Sequence, residues 1–504
     1  MSILGFDLGT GACKGVAFDS VGNILAKAEK GYDTYSPNPG WCELDPNEFI
    51  NAIREVCLSI RAKIPNDEPI AVAFSSHGET IIPVGYDRKP VGPAYMNADN
   101  RAVVEVEELI KKIPAKRIYE ITGTPPHPMY GLANILWVKA HEPERYEATD
   151  KFCPPEGFLM AMMGFEPVCN YSNCCRNMAF DIRKKEWSQE ILDAAGISVE
   201  RMCKPVPSGQ LVGQLDKEHA ELFGLPEGIS VVTGGFDHFS TSIGSGAIHK
   251  GMVSCSCGTY EGLTTLSDEP NSSDEAFDCC LNTFCHLDGK YSNFVYVPAG
   301  MGTKWMVNEV CAAERMKAEE QGKSVYQYLA EEVDKLPKTP TDIYFAPHLV
   351  GSCTPYNNPA ARGVIYGITP YTTRPQLYKA TYECIAYEYT QLCDLLDKMV
   401  GGFDLVRMSG GGARSEFALR LRCDNSGKTI ECLETDEAPA LGVAILAGVA
   451  VGVFDSLEEG LEKNVRIRTT VKPNIEITAK YADARKMYDT LYQSLAPVRD
   501  GWKL

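Results

Sequence analysis

The chain has 504 residues, which is more than one hydrophobic core usually supports, so we expect two large domains. Hydrophobic residues make up 44% and charged residues 23% of the chain, as in an ordinary folded protein. The formal net charge of -18 argues against a protein that binds nucleic acid, although backbone N–H groups and a metal ion could still hold a triphosphate.

The first predicted elements are two strands joined by a glycine turn. Residues 3–8 are apolar except for Asp7, Gly9-Thr10-Gly11 supplies the turn, and residues 14–18 return as a strand. A carboxylate at the end of a strand can hold Mg²⁺, and a glycine turn lets backbone N–H groups approach phosphate oxygens. Thr10 adds a hydroxyl and Lys14 a cation. An ordinary hairpin would give the same local pattern.

Three further elements follow in this region. A strand is predicted over residues 24–28, and a helix over residues 46–60 that begins after the N-cap Asp45. Apolar residues recur along that helix at a spacing of three and four, which predicts one buried face. A short apolar run over residues 70–74 predicts a buried strand.

Asp237 follows a predicted strand over residues 229–233, in the string Gly234-Gly235-Phe236-Asp237-His238. A carboxylate at the mouth of a strand can project into a cleft, and an ionised Asp can accept the proton of an attacking hydroxyl. The alternative is an N-cap for the following helix. His238 is interpreted as a residue that shapes a pocket or fills the core, rather than as a ligand.

The second half of the chain begins like the first. Residues 251–257 lead into Gly258-Thr259, and residues 262–266 resume a strand-like pattern. Two such units suggest a duplicated α/β architecture with a nucleotide between the halves, although two short turns can also be similar by chance. The glycine-rich stretch Gly244-Ser245-Gly246 marks the expected boundary, which gives domains 1–246 and 247–504.

A third glycine-rich segment, Ser409-Gly410-Gly411-Gly412-Ala413, follows the apolar residues 405–406. Its glycines permit close backbone approach to a flat or anionic ligand. The spacing fits neither the Rossmann nor the P-loop pattern. The stretch over residues 437–444 predicts a helix of small residues that packs closely against a neighbour.

Neither export nor membrane insertion is predicted. No uninterrupted apolar segment reaches about 18 residues, and the N-terminus has no basic region of the kind found in signal peptides. The 19 cysteines are an odd number without zinc-ribbon spacing. We expect reduced, mostly buried thiols in a cytoplasmic protein, rather than a metal site or a disulfide framework.

In content and order, these motifs together resemble the FGGY carbohydrate kinase family, over about residues 3–452. The matching positions are Asp7-x-Gly9-Thr10, Gly40-Trp41-x-Glu43-x-Asp45-Pro46, Trp137, Pro207-Ser208-Gly209, Gly235-Phe236-Asp237, Gly258-Thr259, Thr354-Pro355, Pro359-x-Ala361-Arg362-Gly363, Glu383, Ser409-Gly410-Gly411-Gly412-Ala413 and residues 437–444.

The resemblance implies an α/β protein of two actin-like (ribonuclease H-like) ATPase domains of the hexokinase type, with ATP and sugar meeting in the cleft between them. It implies Asp237 as the catalytic base and Asp7 as the residue serving Mg²⁺. It also implies ATP-binding and substrate-binding groups. We assign to ATP Gly9, Thr10, Gly11, Lys14, Gly258, Thr259, Gly410, Gly411, Gly412 and Ala413, and to the substrate His77, Gly78, Glu79, Asp99, Arg101, Asp237 and His238.

The segments expected to bind the sugar depart from the family pattern. His77-Gly78 resembles the Met-His-Gly of xylulose kinases, whereas Glu79-Thr80 resembles the Arg-Glu-Thr of glycerol kinases, with Gly78 where the arginine would be. The Trp-x-Asp-x-Arg pattern is Asn97-Ala98-Asp99-Asn100-Arg101 here, without its aromatic residue. Gly351-Ser352-Cys353-Thr354-Pro355 lacks both charges of Gly-Glu-Arg-Thr-Pro. Phe236 and His238 differ from the usual neighbours of the base.

The sequence therefore predicts an ATP-dependent kinase of a small sugar or polyol, with a pentulose such as xylulose the leading substrate. Glycerol, fuculose-like sugars, gluconate and tetritols are the alternatives. A non-catalytic paralogue that senses sugar or ATP is an alternative of another class, and a chaperone-like or acetate-kinase-like ATPase is disfavoured by the motif set. We expect no nucleic-acid or membrane partner, and by the family resemblance a homodimer.

Overall fold

The computed structural model describes residues 2–358 and 360–499, so Pro359 of the motif set lies outside the described residues. Strands and helices alternate through both halves of the chain. The strands of residues 2–246 are β1 (Ser2–Leu8), β2 (Ala12–Phe18), β3 (Ile24–Gly31), β4 (Glu43–Leu44), β5 (Pro69–Ser76), β6 (Ile82–Gly85), β7 (Ala94–Tyr95), β8 (Thr149–Cys153), β9 (Val168–Asn170), β10 (Phe180–Asp181), β11 (Glu186–Trp187), β12 (Lys204–Val206), β13 (Leu211–Gln214) and β14 (Ser230–Phe236).

The first half contains ten helices among the described residues. They are α1 (Pro46–Lys63), α2 (Val103–Lys112), α3 (Ala115–Thr122), α4 (Gly131–His141), α5 (Pro143–Ala148), α6 (Pro155–Met162), α7 (Tyr171–Cys174), α8 (Gln189–Ala195), α9 (Lys217–Phe223) and α10 (Asp237–Gly244). A 3-10 turn over Cys175–Asn177 follows α7 directly.

The second half adds nine strands and ten helices within the described residues. The strands are β15 (Met252–Cys257), β16 (Glu261–Ser267), β17 (Asn282–Cys285), β18 (Tyr291–Val297), β19 (Tyr344–Ala346), β20 (Val364–Tyr366), β21 (Leu405–Ser409), β22 (Thr429–Leu433) and β23 (Ile467–Val471). The helices are α11 (Asp274–Asp278), α12 (Ala299–Trp305), α13 (Ala312–Glu320), α14 (Val325–Asp334), α15 (Arg374–Val400), α16 (Glu416–Ser426), α17 (Ala438–Ala450), α18 (Leu457–Asn464), α19 (Ile475–Ser494) and α20 (Ala496–Arg499).

The two main sheets share one topology. The first has the order β3-β2-β1-β5-β14-β13, and the second has the order β17-β18-β16-β15-β21-β22-β23. In each, a hairpin (β1-β2 or β15-β16) is antiparallel, and its first strand pairs in parallel with a strand far along the chain (β5 or β21). Another parallel strand follows, β14 or β22. The two glycine hairpins are therefore equivalent parts of a repeated sheet, as the duplicated architecture predicts.

Helix α1 illustrates how the local sequence forms its element. Asp45 caps it by accepting a hydrogen bond from the backbone N–H of Asn47, and Pro46 occupies the first helical position, where no donor is needed. The predicted apolar face is buried, and a Cβ added to Gly15 of β2 would lie 2.5 Å from Cγ1 of Val56. The helix therefore packs tightly against the sheet.

Helices α10 and α17 lie between the two halves and touch backbone to backbone. A Cβ added to Gly244 would lie 1.9 Å from the carbonyl oxygen of Ala438, and one added to Gly442 would lie 2.0 Å from that of Ser240. Helix α17 also packs on the first sheet, because a Cβ on Gly5 of β1 would lie 2.0 Å from the carbonyl oxygen of Ala440. The small residues predicted for this helix are required by these contacts.

All 19 cysteines lie in the described ranges, and each is a free thiol. Across residues 2–358 and 360–499, none of the helices combines the length and the apolar character that crossing a membrane requires.

Candidate active site

Three neighbouring parallel strands of the first sheet end at the same edge. In the ladder, Asp7 of β1 is level with Ser75 of β5, and Phe236 of β14 is level with Ser76. Residue 7 and the segments that follow β5 and β14 therefore meet at the carboxyl ends of the strands, where open α/β sheets bind ligands. The predicted residues His77, Glu79 and Asp237 all lie in those segments.

Asp7 is a partly buried carboxylate on β1. Burial raises its pKa to about 6; the nearby charge of Lys14 opposes the rise and that of Glu437 adds to it. Lys14 stands directly opposite Asp7 in the β1–β2 ladder, as the sequence predicted. Within the part of the chain that the structure describes, the Asp7 carboxylate forms no ion pair. A hard oxygen ligand that is not held in an ion pair fits a divalent ion such as Mg²⁺.

The turn after β1 is fixed by hydrogen bonds at its base, and its tip is exposed. The N–H of Gly9 donates to the carbonyl oxygen of Ala12 at 2.9 Å, and the hydroxyl of Tyr32 donates to the carbonyl oxygens of Gly9 and Ala12. Thr10 and Gly11 at the tip are exposed. The tip can therefore approach a ligand with its backbone.

The two other glycine segments lie side by side on the second sheet. They follow the parallel strands β15 and β21, which pair as far as Ser256 and Ser409. Gly410 has a φ of 93°, and a Cβ added to it would lie 2.8 Å from the carbonyl oxygen of Cys257. Only glycine fits at that position without strain.

A cleft of about 1720 Å³ opens beside these segments. Gly258, Thr259, Gly411 and Gly412 line it and are exposed. Ala413 is buried, and its carbonyl oxygen accepts a hydrogen bond from Nη2 of Arg468 at 2.8 Å. Four of the six predicted ATP-binding residues of the second half therefore line one open cleft, and Gly410 and Ala413 flank two of them in the chain.

Cys255, Cys257 and Glu261 lie close enough together to resemble a metal site, and Cys257 and Glu261 line this cleft. Both oxygens of Glu261 are occupied by Arg422, whose Nε and Nη2 donate at 2.7 and 2.6 Å. Burial raises the pKa of the Cys255 thiol well above its ordinary value. The group is therefore a buried ion pair beside two thiols, which supports the loop above it.

Asp237 is the first residue of α10, and Phe236 is the N-cap residue. Among the described residues, its Oδ1 accepts a hydrogen bond only from the neighbouring N–H of His238, at 2.7 Å, so it does not cap the helix in the usual way. About a third of the side chain is exposed (36%). Burial, with the charges of Glu79 and Asp7, raises its pKa well above the ordinary value, and Arg176 opposes that rise.

His77 and Glu79 lie beside this carboxylate. Nδ1 of His77 is 2.9 Å from the carbonyl oxygen of Leu8, and burial lowers the pKa of the ring. Oε1 of Glu79 accepts from Nε and Nη2 of Arg176 at 2.9 and 2.7 Å. Burial opposes the ionisation of Glu79, yet the charge and hydrogen bonds of Arg176 hold its pKa below the ordinary value.

Gly78 explains why an arginine is missing from the family pattern. A Cβ added there would lie 2.4 Å from Cγ of Arg176, so the stem of Arg176 fills the space that a side chain at position 78 would need. Sequence comparison by motif missed Arg176, because it comes from the distant 3-10 turn over Cys175–Asn177. The signal in the sequence was the glycine at position 78, because a missing side chain there leaves room for a side chain from elsewhere in the chain.

Tyr130 and Asn282, which the sequence motifs did not indicate, also belong to this part of the site. The hydroxyl of Tyr130, in the loop before α4, donates to Oδ1 of Asn282 at 2.9 Å, and Nη1 of Arg176 donates to the same oxygen at 3.2 Å. Asn282 belongs to β17 of the second half. These contacts link the two halves of the chain at the site.

His238 occupies the position expected of a residue that shapes the pocket. Its ring stacks at a tilt on Phe294, with 4.1 Å between centroids, and its Nε2 lies 3.9 Å from Oδ1 of Asp237. Burial lowers its pKa to about 3, so the ring is neutral near pH 7. It therefore contributes a neutral wall beside Asp237.

Asp99 and Arg101 differ from the other predicted substrate residues. Asp99 accepts from the N–H of Cys42 at 2.6 Å and from Nη2 of Arg101 at 2.7 Å, and Nη2 of Arg101 also donates to Glu43 at 2.6 Å. The guanidinium of Arg101 lies 3.9 Å from the ring centroid of Trp41. This pair is engaged in its own buried cluster with Glu43 and Trp41, and its part in substrate binding stays a prediction.

Comparisons with known proteins agree with this geometry. The N-terminal domain of the FGGY family of carbohydrate kinases matches residues 2–244, and its C-terminal domain matches residues 253–451. The gluconokinase of Bacillus subtilis (strain 168) is 26% identical over 460 residues, covering 90% of this chain and 89% of that protein. The xylulose kinase of Escherichia coli (strain K12) is 27% identical over 498 residues, covering 98% and 99%.

The crystal structure of gluconate kinase from Lactobacillus acidophilus superposes with a TM-score of 0.88 at 23% identity, covering 98% of each chain. This likeness confirms the predicted fold, two actin-like ATPase domains with a cleft between them. Both family domains occur here in order and together span most of the chain. The protein therefore belongs to the FGGY family of carbohydrate kinases, and it is a phosphotransferase.

Proposed function

We propose that the protein transfers the γ-phosphoryl group of ATP to a hydroxyl of a pentulose such as xylulose. One observation carries the proposal: Asp7, the segment with His77 and Glu79, and Asp237 meet at the carboxyl ends of three adjacent parallel strands. This arrangement brings candidate metal, sugar and base groups to one edge. Phosphoryl transfer depends mainly on such positioning and on neutralisation of charge.

Asp237 is the proposed catalytic base. Its ionised carboxylate accepts the proton of the sugar hydroxyl as that oxygen attacks the γ-phosphorus. Its place at the N-terminus of α10 favours the negative charge, because the first N–H groups of a helix point toward it. The raised pKa makes Asp237 a stronger base than an ordinary Asp.

The nucleotide is proposed to lie along three glycine segments. Gly9, Thr10 and Gly11 with Lys14, and Gly258 with Thr259, would hold the phosphates, while residues 410–413 would lie against the adenosine. Backbone N–H groups at such turns can bind anions. Asp7 is the proposed residue for Mg²⁺, and that ion, when bound, would neutralise charge on the phosphates.

The choice of sugar is supported by the family relatives and by the hybrid segment over residues 77–80. Xylulose kinases and gluconokinases are both among the relatives. Glycerol, fuculose-like sugars, gluconate and tetritols are the alternatives to a pentulose. Release of ADP, measured in a coupled assay across ketoses, aldoses, polyols and sugar acids, tests the proposal. Failure of every compound to raise ADP release above background would contradict kinase activity.

We also propose a cytoplasmic location and a homodimer. The free state of all 19 cysteines is compatible with a reducing compartment. The dimer rests on family resemblance. Cell fractionation tests the location, and light scattering coupled to size-exclusion chromatography tests the dimer, with a monomer mass contradicting it.

A further inference from the structure

Arg176 is the cationic group at the sugar side of the cleft. Its charge acts on Glu79, on Asp237 and on His238. Two of its nitrogens donate to Oε1 of Glu79 at 2.9 and 2.7 Å, and the third donates to Oδ1 of Asn282 at 3.2 Å. The positive charge is therefore already paired with a carboxylate inside the protein.

The position of this guanidinium is fixed by its surroundings. It lies 5.1 Å from the ring centroid of Tyr130 and 4.9 Å from that of Phe236, and its stem covers Gly78. Only 3% of Arg176 is exposed. Moving it toward a bound ligand would break the pair with Glu79 and leave that carboxylate buried without its partner, which is costly.

Several other polar groups beside Arg176 present acceptors, whereas Nδ2 of Asn177, in the same turn, is a buried donor without a partner in the described chain. Because a carbonyl oxygen cannot donate, Nδ1 of His77 carries the proton that bonds to Leu8, and Nε2 of the neutral ring is an acceptor. This Nε2 is buried and has no partner among residues 2–358 and 360–499. Oδ1 of Asn173 is likewise buried without a partner in the described chain, and Asn173 donates from Nδ2 to Ser76 at 3.2 Å.

Glu79, Asp237 and Tyr130 also offer no free hydrogen-bond donor. Glu79 and Asp237 are carboxylates when ionised, so they only accept hydrogen bonds. The hydroxyl proton of Tyr130 is directed at Asn282. A ligand that satisfies this lining must bring several O–H donors, and it must not bring a negative charge near two carboxylates.

We propose that the site selects neutral polyhydroxy sugars and excludes sugar acids, because Glu79 holds the cation that a substrate carboxylate would need. This inference rests on the proposed kinase function and narrows its substrate class. A ketose or polyol offers a donor to each acceptor. An aldonate places a carboxylate, which only accepts hydrogen bonds, among groups that also only accept, and buried unpaired polar groups are costly.

The test compares xylulose with gluconate as substrates of the full-length protein, with ATP and Mg²⁺ present. We expect kcat/KM for xylulose to exceed that for gluconate by on the order of 10²-fold or more. Glu79→Gln removes the negative charge and frees donors of Arg176. We expect this variant to lower the ratio at least about tenfold, with a rise in kcat/KM for gluconate. Glu388→Gln, a buried carboxylate bonded to His348 and Tyr488 in the second half, is the matched control and should keep the wild-type ratio.

Three outcomes would contradict the proposal or a part of it. Equal use of the two sugars by the wild type would overturn the selectivity while leaving the kinase function standing. A fall in both activities of E79Q with an unchanged ratio would assign Glu79 a structural role and overturn its part in exclusion. Absence of turnover with any sugar would overturn the proposed function itself. The wild-type ratio requires no variant, so the inference can be contradicted even if E79Q fails to fold.

Discussion

On the proposed nucleotide side of the active site, the predicted binding groups are largely glycine backbones, at residues 9–11, 258–259 and 410–413. On the sugar side they are side chains, contributed by segments around residues 77, 130, 176, 237 and 282. A triphosphate is common to all kinases of this type, so a backbone cradle suits it. Sugars differ in the placement of their hydroxyls. When side chains recognise those hydroxyls, substitution of a side chain can change which sugar binds. Substitutions on the sugar side should therefore change turnover or the KM for the sugar. Substitutions in the glycine segments should instead change the stability of the loops.

The largest effect is expected from Asp237→Asn. Loss of the proposed base should lower kcat by about 10²–10⁴-fold, because the amide cannot accept the hydroxyl proton. Affinity for ATP should be little changed, since the glycine segments remain intact. Steady-state ADP release and ATP titration calorimetry measure the two quantities. Asp483→Asn, at an exposed position of α19, is the control. Near-full turnover by D237N would contradict the assignment of the base.

The backbone side is tested next by Gly410→Ala. The φ of 93° is strained for alanine, and the new Cβ would lie 2.8 Å from the carbonyl oxygen of Cys257. We expect the free energy of unfolding to fall by about 1–3 kcal/mol without any ligand. Gly411→Ala is the matched control, because a Cβ there meets no atom within 4 Å. Equal stability of the two variants in urea titrations would contradict a backbone-determined loop.

A smaller effect is expected in the pH dependence. A base works when deprotonated, so a raised pKa of Asp237 places the acidic limb of kcat/KM above the ordinary Asp range near 4. The charge of Glu79 contributes to this rise. Neutralising it with Glu79→Gln should therefore move the limb to lower pH, while Glu388→Gln should leave it in place. An unmoved limb in E79Q would contradict the coupling between the two carboxylates.

The contrast also explains what the sequence could predict. Hairpins 3–18 and 251–266, the strand before Asp237 and the helix after Glu437 follow from periodicity and glycine placement, and the structure confirms them. Arg176 could not be predicted in this way. Its partners Glu79 and Asn282 lie 97 and 106 residues away along the chain, and no local pattern encodes such a contact. Asp99 and Arg101 matched a motif, but burial with Glu43 and Trp41 gives them other partners.

The smallest expected effect tests the link between the halves. Tyr130→Phe removes the hydrogen bond to Asn282, which contributes about 0.5–1.5 kcal/mol, or roughly a 2–10-fold change in an equilibrium constant. Because this bond lies beside the pair of Arg176 and Glu79, we expect the loss as a higher KM for the sugar with little change in KM for ATP.

Tyr119→Phe is the matched control for this prediction. The hydroxyl of Tyr119 donates to the carbonyl oxygen of Leu281 at 2.9 Å, so it also joins the two halves, one residue before Asn282. It does not contact the charged groups of the sugar pocket. Its loss should lower stability without changing KM for the sugar. If both variants raise the KM for the sugar equally, the hydrogen bond to Asn282 acts only by holding the two halves together. It then has no specific role at the sugar pocket.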